Sequence, residues 1–239
     1  MSLKSQIENA NALGRANLNA KGVQTDGTET TYEIMSKIAD VQGGGTNQTQ
    51  PYYIESSGTQ YIDTGIIPTN HRLKIKFQKN DTSGSSIFGT YGTSSKTDSY
   101  ELTWYQNKWY YSNGQYNSNH PTVPPLVTNV IELDYFTFDN KVIMNGVDVG
   151  TTLDTSVSSR YLYLFGKNNV SIQLSSMKLW YAKIYDRDTQ ELVRDFIPAI
   201  DNDGVVCLYD NVTKAYFYNQ GDGDFVAYIK YEKANEQQI

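Results

Sequence analysis

Glu132-Leu133-Asp134 is the first place in this chain where residue types and spacing could do chemistry. Carboxylates at alternate positions of a strand point to the same side. Paired acids are what glycoside hydrolysis requires, one as proton donor and one at a fixed separation from it. Tyr135, Phe136 and Thr137 follow, so no third acid extends the row. Alternation of the two acids with Ile131, Leu133 and Tyr135 reads more simply as the wet face of a strand. His71 follows Pro68-Thr69-Asn70 and His120 precedes Pro121, both in loop-like contexts. With Cys207 as the single cysteine, they give neither metal-ligand spacing nor a Cys/His nucleophile pair. Cys207 sits in the apolar run Val205-Val206-Cys207-Leu208, which predicts a buried, inert thiol. Asp201-Asn202-Asp203-Gly204 invites a calcium reading, but a helix-loop-helix calcium loop would need an acid where Ala199 stands and a Glu where Asp210 stands. A tight turn between Phe196-Ile197 and Val205-Val206 explains it better, and Gly221-Asp222-Gly223-Asp224 reads the same way. The chain has no Gly-rich phosphate loop and no Gly-x-Ser-x-Gly elbow. No catalytic residue, metal or cofactor is expected, and the chain is read as a non-enzyme.

The aromatic residues carry a stronger signal. Tyr100-Glu101-Leu102-Thr103-Trp104-Tyr105 and Lys108-Trp109-Tyr110-Tyr111 read as a hairpin around Gln106-Asn107. Neighbours on a strand face opposite ways. If Leu102 and Trp104 point inward, Tyr105 points outward, and on the return strand one of Trp109 and Tyr110 is exposed. Exposed rings offer apolar faces with polar edges, suited to sugar stacking or to a protein interface. Tyr116, Asn117 and His120, with Asn119, stand in the adjacent loop as polar partners. The candidate carbohydrate-binding residues are therefore Tyr105, Trp109, Tyr110, Tyr116, Asn117 and His120. The competing reading is that most of the 20 tyrosines pave a sandwich core and its rim.

These residues need a scaffold, and 239 residues suit one large β domain plus a small appendage. The formal net charge is −6 and no Lys/Arg cluster appears, which argues against nucleic acid and anionic membrane as partners. No apolar run approaches the about 20 residues of a membrane helix. The N-terminal Met1-Ser2-Leu3-Lys4-Ser5-Gln6 lacks the apolar core of a signal peptide, so synthesis and folding in a cytoplasm are expected.

Residues 1–42 read as helical. Ser2 or Ser5 can cap a helix running to about Ala20, with Gly22 as its stop, and a second runs from Thr30 or Thr31 to Val41. Leu3, Ile7, Leu13, Leu18, Ile34 and Ile38 are its candidate attachment and oligomerisation residues. So few large apolar side chains cannot bury enough surface to fold alone, so this segment is expected to pack on copies of itself, a larger assembly or the rest of the chain. Gly14 and Asn17 break any long coiled-coil pattern. Residues 43–51, opening with Gly43-Gly44-Gly45, read as a linker. Residues 52–229 alternate short strands with turns at even spacing, which predicts a mainly β sandwich or jelly roll. Arg72 to Lys79 reads as a half-exposed strand with its basic side outward, and Asn145-Gly146 is the strongest hairpin turn. Tyr53-Ile54 and Tyr61-Ile62-Asp63 read as strand pieces joined by a Ser-Ser-Gly turn. Residues 230–239 form a polar tail.

Two segments, "YIESSGTQYIDTGI" from Tyr53 and "AKIYDRDTQELVRDFIPAIDNDGVVCLYDNVTKAYFYNQGDGDF" from Ala182, resemble concanavalin A-like (laminin-G-like) domains in structural proteins of phages that infect Gram-positive bacteria. "ALGRANLNAKGV" and "TYEIMSKI" resemble the N-terminal segments of phage minor structural and fibre proteins. The resemblance implies a concanavalin A-like β-sandwich (jelly roll) behind a short α-helical anchor, on a virion surface appendage such as a head fibre. Its partners would be itself, as a homo-oligomer with a trimer among the options, a phage capsid or tail protein, and host cell-wall polysaccharide. Laminin-G-like relatives sometimes hold calcium at a rim, which leaves a weak Ca2+ site open. Some glycan-cleaving enzymes share this sandwich and carry three acids as Glu-x-Asp-x-x-Glu, of which Glu132 and Asp134 would supply two. The alternatives are such an enzyme and a purely structural capsid decoration protein.

Overall fold

A computed structural model describes residues 3–20, 25, 27–28, 30–31, 34, 50–91, 99–113, 116–117, 129–151, 159–169 and 171–229. The chain divides into two compact units, 1–49 and 50–239.

In the first unit, α1 spans Leu3–Ala20. Its alanines, leucines and lysine are good helix formers, and Lys4 reaches Glu8 one turn on. Thr31 and Ile34 are also helical, and the Ile34 amide donates to the Thr30 carbonyl at 3.0 Å. Leu18 and Ile34 are buried, whereas Ile7 and Leu13 are exposed. Of the other expected apolar contacts, Leu3 begins α1 and Ile38 lies outside the described residues.

The second unit is mainly β. In chain order its strands are β1 (Tyr53–Ser57), β2 (Ile62–Asp63), β3 (His71–Lys79), β4 (Ser85–Thr90), β5 (Tyr100–Tyr105), β6 (Lys108–Asn113), β7 (Tyr116–Asn117), β8 (Ile131–Tyr135), β9 (Lys141–Met144), β10 (Val147–Thr151), β11 (Tyr163–Leu164), β12 (Gly166–Asn168), β13 (Gln173–Leu174), β14 (Ser176–Asp186), β15 (Leu192–Ile200), β16 (Val206–Asp210), β17 (Ala215–Phe217) and β18 (Val226–Tyr228). One sheet runs β10-β9-β8-β3-β14-β15-β16-β17, with β1 and β18 branching from β14. The other runs β13-β12-β4-β5-β6-β7, with β11 and β2 joined to β4.

Strand period explains the layering. On β3, Leu73, Ile75 and Phe77 are buried while Lys74, Lys76 and Gln78 face outward. One further basic residue of the strand lies on the other side. Lys79 falls on the buried parity and is itself buried, its ammonium paired with Asp81. The two inner faces meet through rings: Phe77 stands edge-on to Trp109 at 5.9 Å, and Tyr135 of the first sheet meets Phe88 at 5.2 Å and Tyr100 at 4.9 Å of the second. Fully burying one such side chain is worth about 1.5–3 kcal/mol. Polar cross-links pin the sheets as well. The Tyr100 hydroxyl donates to the His71 carbonyl at 2.9 Å, and the Tyr135 hydroxyl donates to that of Ser112. The arrangement is sandwich-like.

The two strand pieces at Tyr53 and Tyr61 lie in different sheets. β1 pairs with β14 and β18, whereas β2 pairs with β11. The turn between them is a corner from one layer to the other. Gly58 takes φ 104° there. The buried Gln60 amide holds the corner: its Oε1 accepts from Ser56 Oγ and the Ser57 amide, both at 2.9 Å, and its Nε2 donates to the Asp222 carbonyl at 3.0 Å.

Candidate functional site

The β5–β6 hairpin carries the candidate site. Gln106 and Asn107 both have positive φ, 48° and 58°, the backbone of a type I′ turn. This turn fixes the register, pairing Trp104 with Trp109, Thr103 with Tyr110 and Glu101 with Ser112. Leu102 and Trp104 are buried, so Tyr105 faces outward, and it is 51% exposed. On the return strand it is Trp109 that turns inward. It is buried against Phe77 and against Trp104, 4.9 Å away. Trp109 is therefore a core residue and not a surface platform. Tyr110 takes the outward position, 6.2 Å from Tyr105 with the rings inclined at 57°. A β-carbon at Gly84 would lie 2.9 Å from Cδ2 of Tyr105, so backbone lies close against that ring and limits its movement. Tyr116 and Asn117 form β7, in register with Ser112 and Tyr111. His120 lies outside the described residues.

Further along the strands, on the same face as the tyrosines, this sheet is polar yet buried. Lys167 of β12 and Glu101 of β5 flank Gly89 of β4 in register. The Lys167 ammonium is 2.7 Å from Glu101 Oε2, which also accepts from Thr103 Oγ1 at 2.9 Å, and Ser86 Oγ lies 2.8 Å from Thr103 Oγ1. Lys167 also sits 5.0 Å from the Tyr91 ring centroid. Each polar group in this layer has a partner, as burial demands. The pair joins residues far apart in sequence, and no local pattern signals it.

The other candidate chemistry is occupied by structure. Glu132 and Asp134 share the outward face of β8, as alternation requires. Arg72 grips Asp134 with two hydrogen bonds, 2.7 and 2.5 Å, and Lys74 stands 3.7 Å away. Tyr181 donates its phenol proton to Glu132 at 2.7 Å. Burial and this hydrogen bond push the Tyr181 phenol up. Asp201 folds back on its own turn, accepting from the amides of Asp203 and Val205 at 2.9 and 2.8 Å and from the Tyr218 hydroxyl at 2.9 Å. Those bonds, the Val205 amide first, hold its carboxyl below the usual carboxylate range. Cys207 is buried, and burial pushes its thiol up to about 12. Among the described residues no group of three or more His, Cys, Asp or Glu side chains is placed to hold a metal.

No protein-family model matches the chain, and no curated protein matches it either. A solved structure does. It is a "putative carbohydrate binding protein" from Bacteroides ovatus ATCC 8483, with TM-score 0.52 and 11% identity over 75% of this chain and 60% of that one. The likeness is one of fold. The chain spans about 60% of that neighbour's length.

Proposed function

We propose that this chain is a non-enzymatic glycan-binding appendage, its sandwich a concanavalin A-like jelly roll that holds saccharide on the Tyr105–Tyr110 face. The pair of outward rings carries the reading: Tyr105 is half exposed, Tyr110 is its neighbour, and Gly84 backs the first ring. Apolar ring faces with hydroxyl edges suit the flat faces and rim hydroxyls of a pyranose. The solved neighbour's description as carbohydrate-binding is consistent with this chemistry.

The wider setting is a phage virion surface, with a head fibre as the first choice, host cell-wall polysaccharide as ligand, and a capsid or tail protein as the attachment point. Its support is the resemblance of the two sandwich segments and of the N-terminal helical segment to phage structural proteins. Ile7 and Leu13, exposed on α1, would meet copies of the chain or its attachment partner. Repeated subunits would turn weak sugar binding into avidity. The hydrolase alternative is not adopted, because Glu132 and Asp134 are engaged by Tyr181 and by Arg72 and Lys74.

The test is retention of the full-length chain on a glycan array and on purified Gram-positive wall polysaccharide. The wild type is expected to be retained. Tyr105→Ala/Tyr110→Ala should lower retention by roughly tenfold with an unchanged melting temperature. Absence of retention on every surface, with the fold intact, would leave only a structural role.

A further inference from the structure

A second aromatic platform lies on the opposite layer, where β18, β1 and β14 adjoin. Tyr53 of β1 is in register with Tyr228 of β18, their rings 4.9 Å apart and 6° from parallel. On its other side Tyr53 meets Trp180 at 5.0 Å, and Tyr52 stands edge-on to Trp180 at 6.1 Å. Ile54 and Leu179 point into the core, so this row belongs to the outward face of the sheet. Trp180 is the residue skipped where the β14–β3 register shifts, and the bulge frees its ring from the ordinary pleat. Its Nε1 is buried without a hydrogen-bond partner, so the part of the indole left to solvent is ring carbon. Tyr52 and Tyr228 are about half exposed.

Charged groups edge these rings in balance. Lys178 reaches over Tyr53, 5.2 Å from its centroid, and is in register with Glu55. Lys76 is in register with Tyr181 on one side and Glu132 on the other. Glu55 accepts from Asn80 and Glu132 accepts from Tyr181, each at 2.7 Å, and each carboxylate keeps further acceptor capacity. We infer that this face is a second saccharide site, distinct from the Tyr105–Tyr110 face and selective for an uncharged pyranose. Two ammonium groups supply donors and two carboxylates supply acceptors around an apolar ring surface. An acidic sugar would meet Glu55 and Glu132 as well as the lysines and would gain nothing from its charge.

Tryptophan fluorescence reads this site selectively. Of the three tryptophans, Trp104 and Trp109 are buried in the core and Trp180 is the partly exposed one. Full-length protein is titrated with chitopentaose, maltopentaose, cellopentaose and mannopentaose, and with pentagalacturonic acid as the acidic comparison, while emission and iodide quenching are recorded. At least one neutral oligosaccharide is expected to give a saturable change and to protect against iodide. Tyr228→Ala should raise its apparent Kd by roughly threefold to tenfold. Trp180→Phe should abolish the emission change, and Tyr105→Ala should leave it intact. Near-UV circular dichroism confirms the fold of each variant. The inference is overturned if no neutral oligosaccharide changes the emission, if Tyr228→Ala responds with wild-type affinity, if Tyr105→Ala removes the response, or if only the acidic pentamer acts. It is equally overturned if iodide protection rises with protein concentration in the absence of sugar, which would make a second copy of the chain the occupant.

Discussion

A β-carbon at Gly89 would stand 2.6 Å from Cβ of Glu101 and 2.9 Å from the Tyr100 carbonyl oxygen. Backbone cannot yield to it as a flexible side-chain end would. Gly89→Ala should therefore cost about 1–3 kcal/mol by denaturant titration and loosen the Glu101–Lys167 pair that flanks it. A variant as stable as the wild type would show that β4 and β5 can spread there. Single residues of this kind were hard to read from the sequence. Alternation required one of Trp109 and Tyr110 to face outward but could not choose between them. The choice is made by Phe77 and Trp104, which give the larger ring a buried place. The alternation of Leu102, Trp104 and Tyr105, by contrast, was legible, because hydrophobic period and turn position sit within one short segment. Gln60 gave no such signal, since the corner it holds depends on a carbonyl at Asp222.

At the scale of elements, β3, β14 and β15 converge around His71. This histidine is in register with Asp186, and its Nδ1 is buried without a hydrogen-bond partner. Burial lowers its pKa below 6.5, opposed by Asp186 and assisted by Arg194. The fold thus favours neutral imidazole, and below about pH 6.5 the unfolded chain binds the extra proton more readily. The stability this contributes is complete above that pH and is lost as pH falls toward the lowered folded value. Unfolding free energy measured between about pH 7.5 and 5 should decline, and His71→Gln should flatten that decline. An identical slope in the variant would assign the effect elsewhere. Asp201 and Asp210 act further down the scale. Burial alone would raise the Asp210 carboxyl, but bonds from the Asp195 amide and from Thr213 and Val212 outweigh it and hold it low. The support they give is lost only as pH drops below ordinary carboxylate values. Hairpins were the elements most open to sequence reading: turns are expected at Gln106-Asn107 and Asn145-Gly146, and both form with positive φ, which residue type suggests for Asn145-Gly146 but not for Gln106. Sheet membership was not, because β1 pairs with β14 and β2 with β11, strands that lie far apart in the sequence.

For the whole molecule, the second unit has a core built from both sheets, and its two outward faces carry different chemistry. One presents Tyr105 and Tyr110 on the same side of the sheet as the buried Glu101–Lys167 pair, and the other presents Tyr53, Trp180 and Tyr228 among lysines and carboxylates. No described helix is long and apolar enough to cross a membrane. A mainly β sandwich was legible from strand spacing alone, whereas the placement of aromatic rings on its two faces required the fold. The most direct measurement of the central claim is amide chemical-shift mapping of the full-length chain with whichever wall polysaccharide fragment it retains. Saturable shifts centred on Gly84, Tyr105 and Tyr110, lost in Tyr105→Ala/Tyr110→Ala, are the predicted result. Saturable binding that leaves those three amides unmoved would contradict it.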